Sequence, residues 1–293
     1  MSMSHTVSTY LFLRRRLHTG LLDVLARSGA EAVEVFAARQ HLDYTSRSDA
    51  RDLGAWFRSH PLRPLSLHAP LFPDAEMGRT GAPAVNVVHR EKSRRIDAMD
   101  EVKRALECAE QIPFAYLILH LGDANDTWDA RTFEHALTAV EHLRAFAAPL
   151  GVKLLLENLT NDVAQPEHLA EIISSGHFRD VGVCLDLGHA HLCAGLPGGG
   201  IAAAIETLAP HVRMVHLHDN AGDRDTHLWP GEGSILWPEA LRALASLPHT
   251  PARVLEIHPS HDALTEQAES ALVQKLQESF AWLDTSSQQA AEG

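Results

Sequence analysis

The chain is 293 residues long with 45% hydrophobic and 22% charged residues, an ordinary globular balance, and its formal net charge is −13. That charge works against polyanionic partners, because nucleic-acid affinity rests on Lys and Arg neutralising phosphates, and no run approaches the roughly 20 uncharged apolar residues that cross a bilayer. Three cysteines, Cys108, Cys184 and Cys193, offer neither a disulfide framework nor a Cys-x-x-Cys metal pair, and the opening Met1-Ser2-Met3-Ser4-His5-Thr6 lacks the basic and apolar regions of a signal peptide, so a cytoplasmic location is the expectation.

Short β-like runs alternate with helical patterns from end to end. The predicted strands are Val7 to Leu13, Ala32 to Phe36, Leu62 to His68, Tyr116 to His120, Lys153 to Glu157, Val181 to Asp186, Val212 to His216 and Arg253 to Ile257. Between them lie helical periods such as Phe133, Leu137, Val140 and Leu143, or Leu264, Ala268, Leu272 and Leu276. Gly29, Gly151 and Gly176 each follow a helical stretch, where a left-handed residue is wanted. Leu196-Pro197-Gly198-Gly199-Gly200 reads as a loop after the sixth strand. Eight strand-helix alternations in one chain indicate an α/β fold, a single (βα)8 barrel over residues 1–284, with the polar tail 285–293 expected to be disordered.

Nine metal-ligand side chains recur at the ends of these strands or in the loops just after them: His68, His120, Glu157, Asp186, His189, His216, Asp225, His227 and Glu256. Burying one ionisable group without a partner costs several kcal/mol or shifts its pKa. A series of strands that each end in one therefore converges on something cationic, and in a parallel barrel the C-terminal strand ends are where active sites lie. Alternation points Cys184 and Asp186 to one side of their strand, and Leu155 and Glu157 to one side of theirs. Imidazole and carboxylate donors without thiolate suit a divalent Zn, Mn, Fe or Co. His218 and His258, each two residues past a strand-end ligand, read either as orienters of those ligands or as plain loop histidines.

These residues resemble the xylose isomerase-like barrel superfamily, which contains sugar and sugar-phosphate isomerases and epimerases and the endonuclease IV family. The resemblance is carried, one motif per βα unit, by His-Ala-Pro at 68, His-x-Gly at 120, Glu-Asn at 157, Asp-x-Gly-His at 186–189, His-x-x-Asp at 216–219, Asp-x-His at 225–227, Pro-Gly-Glu-Gly-Ser-Ile at 230–235 and Leu-Glu at 256. In the isomerase branch it implies one metal on Glu157, Asp186, His216 and Glu256, with Glu157 and Glu256 as the catalytic acid/base pair. In the endonuclease IV branch it implies three metals, the first on His68, His120 and Glu157, the second on Glu157, Asp186, His216 and Glu256, and the third on His189, Asp225 and His227. Many keto-sugar epimerases carry an arginine shortly before the Pro-Gly turn, where this chain has His227.

The expectation is a metal-dependent isomerase or epimerase acting on a sugar or sugar phosphate, with one to three divalent ions. An endonuclease IV-like multinuclear phosphoesterase is the alternative, and a non-catalytic carbohydrate-binding barrel the third reading. Top-face loops carrying Asp74, Glu76, Asp123, Asp126 and Asp223 against Arg14 to Arg16, Arg79 and Arg224 form no basic track, so nucleic acid is not an expected partner. No membrane partner is expected, and a homo-oligomer is compatible with the sequence.

Overall fold

A computed structural model describes residues 5–73, 83–258 and 265–292. Asp74, Glu76, Arg79 and Leu264 lie outside them. Eight parallel strands close into a barrel in chain order: β1 (His5–Ser8), β2 (Ala32–Phe36), β3 (Arg63–His68), β4 (Tyr116–Leu119), β5 (Lys153–Glu157), β6 (Gly182–Asp186), β7 (Val212–Leu217) and β8 (Ala252–Leu255). The main helices are α1 (Thr19–Arg27), α2 (Arg47–Ser59), α3 (Lys92–Leu106), α4 (Ala130–Ala147), α5 (Pro166–Ser175), α6 (Leu187–Leu192), α7 (Ile201–Leu208), α8 (Trp237–Ala245) and α9 (Glu266–Glu292). β1 is shorter than its apolar run predicts. The Ser8 hydroxyl accepts from the Tyr10 amide at 3.2 Å and turns the chain into a 3-10 segment, Thr9–Phe12.

Two layers inside the barrel position the site. Ile118, Leu155, Cys184, Met214 and Val254 pack together as a buried apolar plug. Side chains two residues on point the same way along a strand, so His120, Glu157, Asp186, His216 and Glu256 form the next layer up. Register places Asp186 directly opposite His216, and Phe36 opposite His68. The outer core, between the sheet and the helices, is built from Val, Leu, Ile and Ala of both.

Two expectations about chain punctuation are corrected. Gly29 and Gly151 adopt left-handed φ of 83° and 74°, but after α5 that conformation falls on His177, at 51°, and Gly176 stays right-handed. Residues 285–292 are not a disordered tail; they are the last turns of α9. Arg253 donates to the Ser287 hydroxyl at 2.5 Å, and Leu276, Phe280 and Leu283 are buried beneath the helix, so its apolar stripe carries the polar end with it. Among the described residues no helix is long and apolar enough to cross a membrane.

His41 makes one stability prediction that is independent of the site. It is fully buried between β2 and α2, its Nδ1 lies 2.6 Å from the Arg15 carbonyl, and burial pushes its imidazole down to about 4. An unfolded histidine titrates near 6.5. As pH falls below that value the unfolded chain takes up a proton that the folded chain refuses, so about 3 kcal/mol of stability is lost by pH 4. Urea unfolding in chelator should show this slope flattened in His41→Asn; equal slopes in the two proteins would refute it.

Candidate metal centre and active site

All nine predicted residues come together at the C-terminal end of the barrel, in three groups whose ligand atoms lie within 4.8 Å of one another: His68, His120 and Glu157; Glu157, Asp186, His216 and Glu256; and His189, His218, Asp225 and His227. The groups are joined through Glu157. One of its oxygens lies 3.0 Å from His120 Nε2 and 3.3 Å from His68 Nε2, and the other lies 3.3 Å from His216 Nδ1. Glu256 approaches the same His216 Nδ1 at 3.3 Å from the end of β8. Depth grades the set. The four residues around His216 are buried, whereas the side chains of His120 and Asp225 are 22% and 39% exposed and mark the mouth.

Second contacts fix which nitrogen each histidine presents. Nδ1 of His68, His189 and His227 lies against a main-chain carbonyl, of Ala69 at 2.9 Å, Asn158 at 3.0 Å and Glu256 at 2.7 Å. A carbonyl only accepts, so these Nδ1 atoms carry hydrogen. In a neutral ring the bare Nε2 lone pair then faces a carboxylate: Glu157 for His68, and one Asp225 oxygen, at 3.2 Å, for both His189 and His227. His216 does the reverse, with Nε2 against Glu34 at 3.2 Å and Nδ1 inward. Lone pairs aimed at carboxylates repel unless the ring is protonated or a cation lies between.

The metal-free charges follow the first course. Burial alone would depress these imidazoles, yet the surrounding carboxylates hold His189 and His216 well above the ordinary value and His227 up to about 9. The Cys184 thiol beside His216 is itself pushed up by burial and is neutral at pH 7, so the carboxylates are the cause. Burial would raise Glu157, but His120 and His216 hold it well below the carboxylate range; His216 and His227 do the same for Glu256. A divalent cation fits the donor set: Glu157 Oε1 and His216 Nδ1 are both buried without a hydrogen-bond partner while facing each other. Glu157, Asp186, His216 and Glu256 offer the oxygen and imidazole donors that Zn, Mn, Fe or Co take.

Several residues have roles the sequence did not assign. Glu34 on β2 is fully buried, accepts from the Ser66 hydroxyl at 2.9 Å and holds the His216 ring. Asn158 clamps the Asp186 backbone from both sides, donating to its carbonyl at 2.9 Å and accepting from its amide at 2.8 Å. Asp219, the last residue of the His-x-x-Asp motif, accepts from the Gly231 amide and the Trp237 indole at 2.9 and 2.8 Å. It therefore organises the Pro-Gly turn, and Trp237 packs beneath that turn. Arg16 pairs with Asp49 at the start of α2.

A closed (βα)8 barrel with histidines and carboxylates gathered at the C-terminal strand ends defines the class. The chain matches the model of the xylose isomerase-like TIM barrel family over residues 22–285, and it belongs to that family. An uncharacterized protein of Methanocaldococcus jannaschii is 25% identical over 254 residues, 84% of this chain and 81% of that protein. Fructoselysine 3-epimerase of Escherichia coli O157:H7 is 25% identical over 173 residues, 54% of this chain and 58% of the epimerase. Among solved structures, an L-ribulose 3-epimerase superposes with a TM-score of 0.77 at 13% identity, covering 100% of this chain and 96% of its own. IolI with a bound zinc atom superposes at 0.74 and 19% identity, covering 99% and 98%.

Proposed function

We propose that this protein is a divalent-metal-dependent isomerase or epimerase of a sugar or sugar phosphate, with Glu157 and Glu256 as the proton-transfer pair. The observation that carries the reading is the convergence of these two buried carboxylates, from opposite sides of the barrel mouth, on one nitrogen of His216 at 3.3 Å each. The partial similarity to fructoselysine 3-epimerase supports the substrate class, and zinc in the IolI fold-mate supports the cofactor.

Glu157, Asp186, His216 and Glu256 would hold the ion. When bound, it supplies a Lewis acid that polarises the substrate's carbonyl and hydroxyl oxygens. One glutamate, ionised, takes the proton from the carbon next to the carbonyl, and the C–H electron pair passes into an enediolate. Return of that proton to the neighbouring carbon isomerises the sugar. Delivery of a proton to the opposite face of the same carbon, drawn from water and passed on by the other glutamate, inverts it. The mouth residues His120 and Asp225 would meet the sugar hydroxyls.

The reading is tested by incubating the metal-loaded protein with a panel of ketoses and ketose phosphates in heavy water. Deuterium should enter at the carbon beside the carbonyl, followed by NMR, with product of altered configuration. A panel with no exchange at any carbon would defeat the proposal.

A second reading, a multinuclear phosphoesterase, is favoured by one observation: the two further ligand groups beside the four-residue core. Elemental analysis of protein purified without chelator separates the two. About one ion per chain fits the isomerase, and about three, together with incision of an abasic-site duplex, would put the phosphoesterase first.

A further inference from the structure

His218, for which the sequence left two readings open, lies inside the site, and its neighbours fix what it does. It is fully buried. Its Nε2 lies 3.0 and 3.1 Å from the two Asp186 oxygens. Carboxylate oxygens only accept, so Nε2 carries the hydrogen. The ring lies flat against Gly188, where a Cβ would stand 2.0 Å from His218 Cε1. That close approach gives the glycine of the Asp-Leu-Gly-His segment a reason: any side chain there would occupy the place of the ring.

Proximity alone would make His218 a fourth ligand beside His189, Asp225 and His227, since all four offer a ligand atom within 4.8 Å. Ring geometry excludes it. An imidazole binds a metal in its own plane at about 2.0–2.1 Å. The His218 and His227 rings stack with centroids 3.9 Å apart and planes only 16° from parallel. An ion in the plane of one ring therefore sits above the face of the other. His218 and His227 therefore cannot share one ion, and His218 Nδ1 lies 3.9 Å from Asp225, buried and without a hydrogen-bond partner.

We infer that His218 is a positioning residue: its Nε2–H holds the Asp186 carboxylate in the orientation from which Asp186 binds the metal, while its face braces His227. Three contacts then act together on Asp186. Asn158 clamps its backbone, the His189 amide donates to Oδ1 at 2.7 Å, and His218 sets the rotation of the carboxylate. The inference rests on the proposed metal at Glu157, Asp186, His216 and Glu256.

The test compares His218→Gln with His218→Met, which match in length and lose the stack equally but differ in the N–H donor. Co(II) affinity is measured by competition with a chromophoric chelator, and the visible spectrum of the bound Co(II) reports its coordination geometry. Outer-shell partners of metal ligands are worth roughly 10- to 100-fold in affinity, so the Met variant should bind that much more weakly, with an altered spectrum, and the Gln variant should stay within about threefold of the parent. Equal affinities in the Gln and Met variants, whether tight or weak, would overturn the inference. Gly188→Ala displaces the same ring without touching it chemically and should match the Met variant; parental affinity there would also overturn it, even if both His218 variants failed to fold. A parent protein that binds no Co(II) would bring down the metal reading itself, whereas parental affinity in His218→Met brings down only the role of His218.

Discussion

Replacing Glu256 with Gln should reduce kcat by roughly 10²- to 10⁴-fold, the range supplied by a positioned acid or base, while leaving most of the bound metal in place. Among the described residues Glu256 pairs with His216 and His227. Its amide isostere removes the proton carrier but keeps the shape. Glu157→Gln should be worse on two counts, because Glu157 also faces His68, His120 and His189 and is common to two of the three ligand groups. Kinetics and metal analysis on both variants check this, and full activity in Glu256→Gln would remove it from proton transfer.

Stripping the metal with chelator should abolish turnover and lower the melting temperature. An ion present at about 100 times its Kd adds about 2.7 kcal/mol, roughly 4–5 °C for a domain of this size. The effect should depend on pH with a defined sign. In the metal-free protein His189 and His216 are held well above their ordinary values and His227 up to about 9, so at pH 7 these rings carry protons. A cation must displace protons wherever it takes their nitrogens. Affinity should therefore rise as pH is raised from about 6 through neutrality, with proton release at pH 7 seen by calorimetry in buffers of different ionisation enthalpy. Affinity that is flat over this interval would mean that the histidines do not bind the ion.

The barrel was legible because each of its strands is an apolar run, and the site because its ligands close those runs. All nine ligand candidates meet at one end, as strand-end placement in a parallel barrel requires. Glu34 was not legible. In Ala32-Val33-Glu34-Val35-Phe36 the alternation reads as a half-buried strand with its glutamate in solvent, but in a closed barrel the inward face is the one that ends in a polar layer. His218 lies only two residues past His216, and nothing in the sequence separates an orienter from a plain loop histidine; its approach to both Asp186 oxygens favours the first. The tail was misread for a related reason. Thr285-Ser286-Ser287-Gln288-Gln289 has the composition of a disordered end, yet Gln and Ala are adequate helix formers once an apolar stripe upstream has paid for nucleation.

The apolar plug under the ligand layer has a kinetic consequence. Ile118, Leu155, Cys184, Met214 and Val254 fill the barrel below the ligand layer, each no more than 1% exposed, so among the described residues the site is approached from the side of His120 and Asp225. Whatever enters must back out by the same route before the next molecule can descend. On the proposed function, substrate and product would share that route. On that reading, traffic past His120 and Asp225 would be a step of the cycle in its own right.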